Sequence, residues 1–296
     1  MARLLSSELE RIAHDIDIRF DALLTPPEDS RRRLYQAMRH AAIGGGKRLR
    51  PLLVCASAQL FAVDRECALR TGLAVEAIHV YSLIHDDLPS MDDDAMRRGR
   101  PTVHMAFDEA TAILAGDAFQ ALAFELLAAE ATHADPFVRA ELVSALAVAA
   151  GPAGMVGGQA MDMAAALTMH DLGNVTRLQQ LKTGALIGFA IEAGAILGRV
   201  PPEGRNRLRG FAHDLGLAFQ IADDLLDAEG DPTAMGKAAG KDREAGKATF
   251  VGLLGLERAR TQARTLSEQA IAHLANFGRE ADLLRHIAAY AVERDR

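Results

Sequence analysis

Two clusters of aspartates are the residues in this chain best suited to chemistry. The first is Asp86-Asp87, followed after four residues by Asp92-Asp93-Asp94. Pro89 disfavours helix at the residue before it, so a helix carrying Asp86 should end or kink there. A continuous helix would put Asp92 about 120° around the axis from Asp86. The break instead allows Asp92 to turn back towards Asp86.

The second cluster is Asp223-Asp224, with Asp227 three residues further on, and it needs no break. Asp223 and Asp227 are four apart, which places both on one helix face. Both clusters follow the pattern I-x-D-D-L, and each closes an apolar helical stretch. We expect two helices to deliver carboxylates to one place, with Asp87 and Asp224 in supporting positions.

Carboxylates this close are costly without a cation between them, because two like charges at about 4 Å repel by roughly 4 kcal/mol at a dielectric near 20. An all-oxygen ligand set favours Mg²⁺ over zinc or iron. Mg²⁺ usually keeps water and substrate phosphate in its octahedron, so the clusters predict a phosphorylated substrate. A single run of aspartates is ordinarily a solvated acidic helix end. Two such clusters, each closing an apolar helix, make that alternative a poor explanation here.

A basic segment, Gly44-Gly45-Gly46-Lys47-Arg48-Leu49-Arg50-Pro51, precedes them. It predicts a glycine turn carrying cations, with a helix starting at Pro51. The segment is not a nucleotide-binding P-loop, since Ala41 stands where glycine is needed and Arg48 where Ser or Thr is needed. Lys and Arg at a glycine turn still suit a diphosphate.

Other cations are weak signals individually. His79 lies two turns before Asp86, close to the same helix face, and a lone histidine there is more often a core residue. The remaining basic candidates are Arg97, Arg98, Lys182 (with Thr183), Lys237 and Lys247. No nucleophile motif is visible, so metal-assisted loss of diphosphate is the chemistry that these residues favour.

The elements that must position these residues are helices. Apolar residues recur every three or four positions, with breaks at Pro26-Pro27, Gly44–Gly46, Leu88–Pro101, Asp135-Pro136, Gly151-Pro152, Pro201-Pro202 and Gly230–Gly246. This predicts an all-α chain of about ten or more helices. With no shift in composition, it is taken as one domain over 1–296. The uncharged stretch Leu142–Met161 is interpreted as two core helices around a Gly-Pro joint, and not as a membrane span.

Composition excludes several classes of protein. Apolar residues make up 49% of the chain, Trp is absent, and the net charge of −7 argues against nucleic-acid partners. Cys55 and Cys67 have no metal or redox spacing and are expected to be free thiols in a reducing cytoplasm. The first residues turn charged too early for a secretory leader.

Several motifs together resemble the trans-isoprenyl diphosphate synthases, most closely the bacterial farnesyl diphosphate synthases. They are GGGKRLRP, EAIHVYSLIHDDLPSMDDDAMRRGRPT, GGQAMD, LKTGAL, FQIADDLLD and GDPTAMGKAAGKD with GKAT. They run in family order from about residue 44 to 250. The resemblance implies a helical bundle around a central active-site cavity, usually as a homodimer.

The resemblance also implies site roles. Mg²⁺, as three ions with substrate bound, would sit on Asp86, Asp92, Asp223 and Asp227. The residues that would help to bind the allylic diphosphate are Arg97, Lys182, Thr183, Gln220, Lys237 and Lys247. Isopentenyl diphosphate would bind Lys47, Arg50, His79 and Arg98. The segment 228–247 would be a lid, and the C-terminal Arg294-Asp295-Arg296 a possible cover, although a frayed end is the ordinary alternative.

Product length follows from the same resemblance. In this family a bulky residue five positions before the first aspartate tends to close the bottom of the cavity that holds the growing isoprenoid chain. Here that residue is Tyr81, beside the small Ser82. This predicts a fifteen-carbon, farnesyl product, with a geranylgeranyl product as the alternative. After Lys247-Ala-Thr249 the family often has an aromatic residue followed by Pro, whereas this chain has Phe250-Val251. The sequence therefore does not predict how the next helix starts.

Three rival functions fit the sequence less well. A terpene cyclase would share the fold but not the second aspartate motif or the GGGKRLR segment. A di-iron bundle would use two Glu-x-x-His pairs, and the chain has Glu76/His79 and Glu130/His133. A non-catalytic partner subunit would have lost aspartates that this chain keeps.

Overall fold

A computed structural model describes residues 2–165, 171–229 and 249–293. The α-helices are α1 (Ala2–Leu23), α2 (Arg32–Ala42), α3 (Leu49–Gln59), α4 (Arg65–Asp86), α5 (Val103–Ala106), α6 (Glu109–Ala128), α7 (Pro136–Ala150), α8 (Met155–Ala165), α9 (Leu172–Gln179), α10 (Ala185–Leu197), α11 (Asn206–Glu229), α12 (Phe250–Leu254), α13 (Leu256–His273) and α14 (Asp282–Glu293). A π-helical turn spans Gln180–Gly184, and 3₁₀ turns span Pro202–Arg205 and Arg279–Ala281. The predicted all-α fold is confirmed.

Aspartates fix several helix starts. Asp64, Asp108 and Asp135 each accept a hydrogen bond from a backbone N–H in the first turn of α4, α6 and α7. Such caps satisfy donors that have no partner inside the helix. Pro136 is the first residue of α7, where a backbone N–H would have no acceptor inside the helix, so proline loses no hydrogen bond there. Asp171 caps α9 in the same way.

The main hydrophobic core includes residues of both terminal helices, from Leu5 of α1 to Ala291 of α14. Helices α3, α4 and α10 lie inside it, and α10 is apolar around most of its circumference, as a buried helix must be. A second cluster joins α9, α11, α12 and α13, with Phe250 among its buried members. α4 and α11, which carry the two acidic clusters, are therefore both anchored in packed cores.

Four helical stretches have the length and composition to cross a membrane, namely 65–86, 109–128, 136–164 and 172–197. Their most apolar windows are 72%, 44%, 33% and 61% buried inside the protein, respectively. The first and last are therefore mainly core helices. The other two leave much apolar surface uncovered.

Three local features differ from the sequence prediction or refine it. Leu142–Met161 does divide at a Gly-Pro joint between α7 and α8, but it is not wholly core, since Val148 and Val156 are exposed. α3 begins at Leu49, two residues before the predicted start at Pro51, because Arg48 adopts a left-handed conformation and ends the loop there. A short antiparallel hairpin, β1 (Met96–Arg97) and β2 (Arg100–Pro101), was not expected.

Candidate active site

The first acidic cluster turns back on itself as the proline break predicts. α4 ends at Asp86, and the amide of Asp92 donates to the carbonyl of Asp86 at 2.9 Å. The amide of Asp94 likewise donates to the carbonyl of Asp87 at 3.2 Å. Burial raises the pKa of Asp86 to about 6; nearby Lys182 opposes this rise, and Asp92 adds to it. The cluster therefore holds negative charge at an energetic cost.

Asp87 has a different task from Asp86. Its buried carboxylate accepts three hydrogen bonds from Arg97, at 2.6 to 2.9 Å. Burial opposes the charge of Arg97, but the bonds to Asp87 outweigh it and raise the pKa of the guanidinium. Arg97 is thus held beside the acidic cluster by Asp87, in a fork geometry that keeps it charged.

The second cluster lies on the last turns of α11. Asp223 and Gln220 line the cavity described below. Asp227 follows Asp223 by one helical turn on the same face. Asp224 instead accepts a bond from the amide of Phe250 at 2.7 Å, which ties α11 to the start of α12. The Phe250-Val251 departure is accommodated because Thr249 caps α12 through the amide of Gly252.

The Lys182-Thr183 pair lies in the π-helical turn, where the sequence showed only an interruption. Widened turns of this kind are frequent at functional sites. Lys182 Nζ donates to Asp162 of α8 at 2.6 Å. A Cβ on Gly158 would overlap the backbone of Lys182, so glycine there allows α8 to approach the turn.

This turn connects the two acidic helix ends. The charge of Lys182 acts on Asp86 at the end of α4. Thr183, the next residue, lines the same cavity as Asp223. The ends of α4 and α11 therefore both lie close to the π-helical turn.

The cavity has a volume of about 720 Å³ and is lined by three kinds of group. Its polar and charged residues include Lys47, Arg48, Arg50, Glu76, His79, Arg98, Thr183, Gln220 and Asp223. Its glycines are Gly44, Gly45 and Gly46. Its apolar wall is Leu5, Leu9, Leu49, Ile187, Phe219, Ile287, Tyr290 and Ala291. A highly charged small molecule with an apolar tail fits such a lining.

The cationic side of this cavity is built from the glycine loop and the hairpin. Gly46 has a φ of +89°, and a Cβ there would overlap the guanidinium of Arg98. The Nε of Arg50 is buried and has no hydrogen-bond partner among the described residues. Burial, together with the neighbouring Arg98, lowers the pKa of Arg50, although Glu76 opposes the shift. Guanidinium groups crowded in this way favour an anion between them.

His79 lies on the same side of the cavity. Burial lowers its pKa well below 6.5, and the charges of Arg50 and Arg98 lower it further. The ring is therefore neutral at physiological pH, and it offers one N–H donor without adding to the positive charge. That fits hydrogen bonding to an anion already neutralised by arginines.

The acidic side fits Mg²⁺ completed by a ligand. Burial raises the pKa of Asp86, and Asp92 and Asp87 add to the rise against the opposing charges of Lys182 and Arg97, so a cation beside this carboxylate would offset a real cost. Among the described residues, no group of three or more His, Cys, Asp and Glu side chains forms a cation site by itself. Mg²⁺ usually takes one or two carboxylates and leaves its other positions to water and phosphate, so this open arrangement suits it.

Comparisons with known proteins agree with this geometry. The polyprenyl synthetase family model matches residues 31–288. The chain belongs to the polyprenyl synthetase family. It is 44% identical to farnesyl diphosphate synthase of Escherichia coli (strain K12), over 89% of this chain and 90% of that one. It is 39% identical to geranylgeranyl diphosphate synthase of Cyanophora paradoxa, over 88% of each chain.

The fold of this polyprenyl synthetase is also that of solved relatives. It superposes on the FPP/GFPP synthase of Zymomonas mobilis with a TM-score of 0.91 and 60% identity, covering 99% of this chain and 100% of that one. The predicted bundle around a cavity is confirmed.

The predicted chain-length residues lie on α4. Tyr81 is buried and packs edge-on against His85, with ring centroids 5.6 Å apart. The ring of His85 fills the space where a Cβ on Gly116 of α6 would lie. Ser82 donates to the carbonyl of His79 at 2.9 Å. A residue larger than glycine at position 116 of α6 would therefore displace the ring against which Tyr81 packs.

Some predicted residues of this polyprenyl synthetase lie outside the described part of the chain. They are Lys237 and Lys247, with them most of the predicted lid 228–247, and the tail Arg294–Arg296. Their roles remain predictions.

The two cysteines are free, and burial raises the pKa of Cys55 to about 12, which makes it an unreactive thiol.

The di-iron alternative does not fit. Glu76 is paired with Arg48 at 2.8 Å, and Glu130 is exposed in the turn after α6. Neither Glu-x-x-His pair belongs to a metal cluster in the described residues. The second pair lies in the segment between α6 and α7, so its two residues do not share a helix face.

Sequence reasoning missed several residues that hold the site. Asp162 fixes Lys182, and Arg48 is buried in ion pairs with Glu76 and with Asp17 of α1. The GGQAMD motif contained a signal for Asp162. Nothing local pointed to Asp17, which is 31 residues from its partner.

Proposed function

We propose that this polyprenyl synthetase condenses isopentenyl diphosphate head-to-tail with dimethylallyl or geranyl diphosphate, giving farnesyl diphosphate and releasing diphosphate. The observation that carries the proposal is the convergence of two acidic helix ends and a cationic loop around the π-helical turn. Supporting it, relatives at 41 to 44% identity over most of the chain are farnesyl diphosphate synthases.

In this proposal Asp86, Asp92, Asp223 and Asp227 hold three Mg²⁺ ions together with the allylic diphosphate. Bound there, Mg²⁺ would act as a Lewis acid that stabilises the departing diphosphate. Asp87 supports the site by holding Arg97, and Asp224 by anchoring α12. Arg97, Lys182, Thr183 and Gln220 would orient the allylic diphosphate, with Lys237 and Lys247 assigned on the motif alone.

Isopentenyl diphosphate would occupy the cationic side, on Lys47, Arg50, His79 and Arg98. All four line the same cavity. Arg50 supplies a buried N–H that needs an acceptor, and neutral His79 supplies a hydrogen bond without further repulsion. Two diphosphate seats on opposite sides of one cavity would bring the two carbon chains together between them.

The reaction follows from this arrangement. The allylic C–O bond breaks and its electron pair leaves with diphosphate. The double bond of isopentenyl diphosphate then forms the new C–C bond to the allylic cation. A C–H bond of the resulting cation then breaks. Its electron pair forms a double bond, and its proton goes to the released diphosphate. Water would quench the cation, so the proposed lid 228–247 must exclude it.

The decisive experiment is incubation of the purified protein with Mg²⁺, labelled isopentenyl diphosphate and geranyl diphosphate, followed by chromatography of the products. We expect farnesyl diphosphate, formed only when both substrates and Mg²⁺ are present. Turnover of geranyl diphosphate alone into a hydrocarbon would indicate a terpene cyclase instead. Absence of any product from the folded protein would favour a non-catalytic partner subunit.

Product length has a second candidate. A geranylgeranyl product is favoured by the relative from Cyanophora paradoxa, and the Zymomonas mobilis relative makes a longer alternative credible as well. The buried ring of Tyr81 favours the shorter, farnesyl product. A time course with excess isopentenyl diphosphate distinguishes a fifteen-carbon end point from continued growth.

We also propose a homodimer. α6 and α7 carry large apolar side chains that are exposed in the single chain, including Ile113 (46%), Leu114 (56%) and Phe137 (82%). Exposed apolar patches of this kind mark interaction surfaces in soluble proteins. Light scattering during size-exclusion chromatography should give twice the mass of one chain. The charged substitution Leu114→Glu should shift it towards the monomer.

The remaining assignments are that the chain is one polyprenyl synthetase domain over 1–296, located in the cytoplasm, with no membrane span. The shared core of α1 and α14 supports one domain, and the burial of α4 and α10 supports a non-membrane role for those helices. Fractionation of expressing cells with and without detergent tests the location. Recovery only in detergent would reject it.

A further inference from the structure

The loop from Gly44 to Arg48 is held closed by a single carboxylate of α1. Asp17 Oδ2 accepts a hydrogen bond from the amide of Gly44 at 3.0 Å. Asp17 Oδ1 accepts one from the Arg48 guanidinium at 2.8 Å. The first and last residues of the loop are therefore joined through one side chain from outside it.

Arg48 completes this clasp inside the protein. Its side chain is 1% exposed, and it donates to Glu76 Oε1 of α4 at 2.8 Å. It also donates to the carbonyl of Ala42 at the end of α2. Burial alone would lower the pKa of Arg48, but Glu76 and Asp17 raise it, so the guanidinium stays charged. A buried arginine with several partners at different angles permits little movement of its backbone.

Three residues of this loop have left-handed backbone conformations. Gly44 and Gly46 have φ values of +79° and +89°, and Arg48 itself is left-handed at +48°. A non-glycine residue in that region is strained and persists only where its surroundings enforce it. Lys47 lies between the constrained residues, and Arg50 is the second residue of the helix that Arg48 caps. Both line the cavity.

We infer that Asp17, acting with Glu76 through Arg48, is a positioning residue for isopentenyl diphosphate. It touches no proposed substrate group, and it fixes the backbone from which Lys47 and Arg50 reach the diphosphate. Asp17 lies before the residues that the family model matches, so the site depends on α1 as well as on the matched region. This inference rests on the proposed function.

The test is Asp17→Asn, compared with Asp15→Asn. Asparagine has one acceptor oxygen and would turn its NH₂ towards a donor, so it is unable to accept from both Gly44 and Arg48. Asp15 is the matched control: it lies on α1, its carboxylate is 26% exposed against 29% for Asp17, and it pairs with Arg65 of α4, away from the loop. Steady-state kinetics are measured with each substrate varied in turn.

We expect Asp17→Asn to raise the KM for isopentenyl diphosphate about tenfold, a loss corresponding to one misplaced charged contact. The KM for geranyl diphosphate and kcat at saturation should stay within about twofold. Asp15→Asn should change none of them. A purely structural role would instead lower the thermal midpoint and affect both substrates alike, and that outcome would overturn the inference.

Arg48→Lys provides a second comparison, and it decides if Asp17→Asn fails to fold. Lysine keeps the charge but lacks the fork that reaches Asp17, Glu76 and Ala42 together, so the same selective rise in KM is expected. Calorimetric binding of inorganic diphosphate gives a readout without turnover, and should weaken in both variants. Wild-type protein with no prenyl transfer would refute the proposed function. If the wild type is active and both variants bind diphosphate as tightly as it does, only the inference about Asp17 is refuted.

Discussion

The cationic side of the cavity and the acidic helix ends beside it are held in opposite ways. On the cationic side the protein supplies counter-charges for Arg48, the residue that fixes the loop, because Asp17 and Glu76 both pair with it. On the acidic side Asp86 carries a raised pKa, with Asp92 adding to its cost. The cationic side is thus preorganised, whereas the acidic side depends on cations and substrate to complete it. Substitutions should therefore affect binding on one side and chemistry on the other.

The largest effect is expected from Asp223→Asn or Asp86→Asn in the presence of Mg²⁺. Each removes a carboxylate from the side where charge must be neutralised during loss of diphosphate. Lewis-acid stabilisation of several kcal/mol corresponds to a fall in kcat of about a thousandfold. Asp29→Asn, in an exposed ion pair with Arg31, should leave kcat unchanged. Retention of a tenth of the activity by either site variant would contradict the assignment of the acidic side.

Asp86→Asn should also stabilise the protein when metal and substrate are absent. The folded pKa of about 6 lies above the ordinary aspartate pKa of 3.8, so the folded state binds the proton more tightly. Stability from this group is present at low pH and is lost as pH rises from about 4 to 6. A pKa difference of about two corresponds to an upper limit of about 3 kcal/mol at pH 8.

Urea unfolding in EDTA measures this effect. The variant should gain free energy of unfolding over wild type at pH 8, and the gain should shrink at pH 5. Saturating Mg²⁺ with a diphosphate ligand should reverse the order, because only wild type binds both fully. A variant that is less stable than wild type at pH 8 in EDTA would mean that Asp86 is already compensated within the protein.

On the cationic side, Gly46→Ala should weaken isopentenyl diphosphate binding selectively. The new Cβ would overlap the Arg98 guanidinium, and alanine at a φ of +89° adds about 1–2 kcal/mol of backbone strain. Gly255→Ala is the matched control, since Gly255 has a φ of +78° with open space around it. Both variants carry backbone strain, but only Gly46→Ala should raise the KM for isopentenyl diphosphate, by about tenfold. Equal KM values in the two variants would show that Arg98 is free to move aside.

The same contrast explains which features the sequence could predict. The return of Asp92 follows from Pro89, a local rule, and the all-α fold follows from periodicity and the scarcity of strand-forming residues. The π-helical turn depends on how closely α8 packs at Gly158, and the hairpin on how Arg98 covers the glycine loop. Those are contacts between distant segments. The Asp17 clasp is likewise non-local, so neither spacing nor propensity indicated it.

The smallest change in rate, but a change of product, is expected from Tyr81→Ala. The Tyr81 ring is buried against His85, and its removal from α4 would open space below the acidic side without touching either diphosphate seat. The rate of the first condensation should therefore stay within about threefold, while farnesyl diphosphate gives way to longer chains. Tyr81→Phe keeps the ring and should keep the farnesyl product. Chromatography at equal conversion measures both. If Tyr81→Ala still stops at fifteen carbons, another residue floors the cavity, and Gly116→Ala, which forces His85 to move, becomes the next variant to compare.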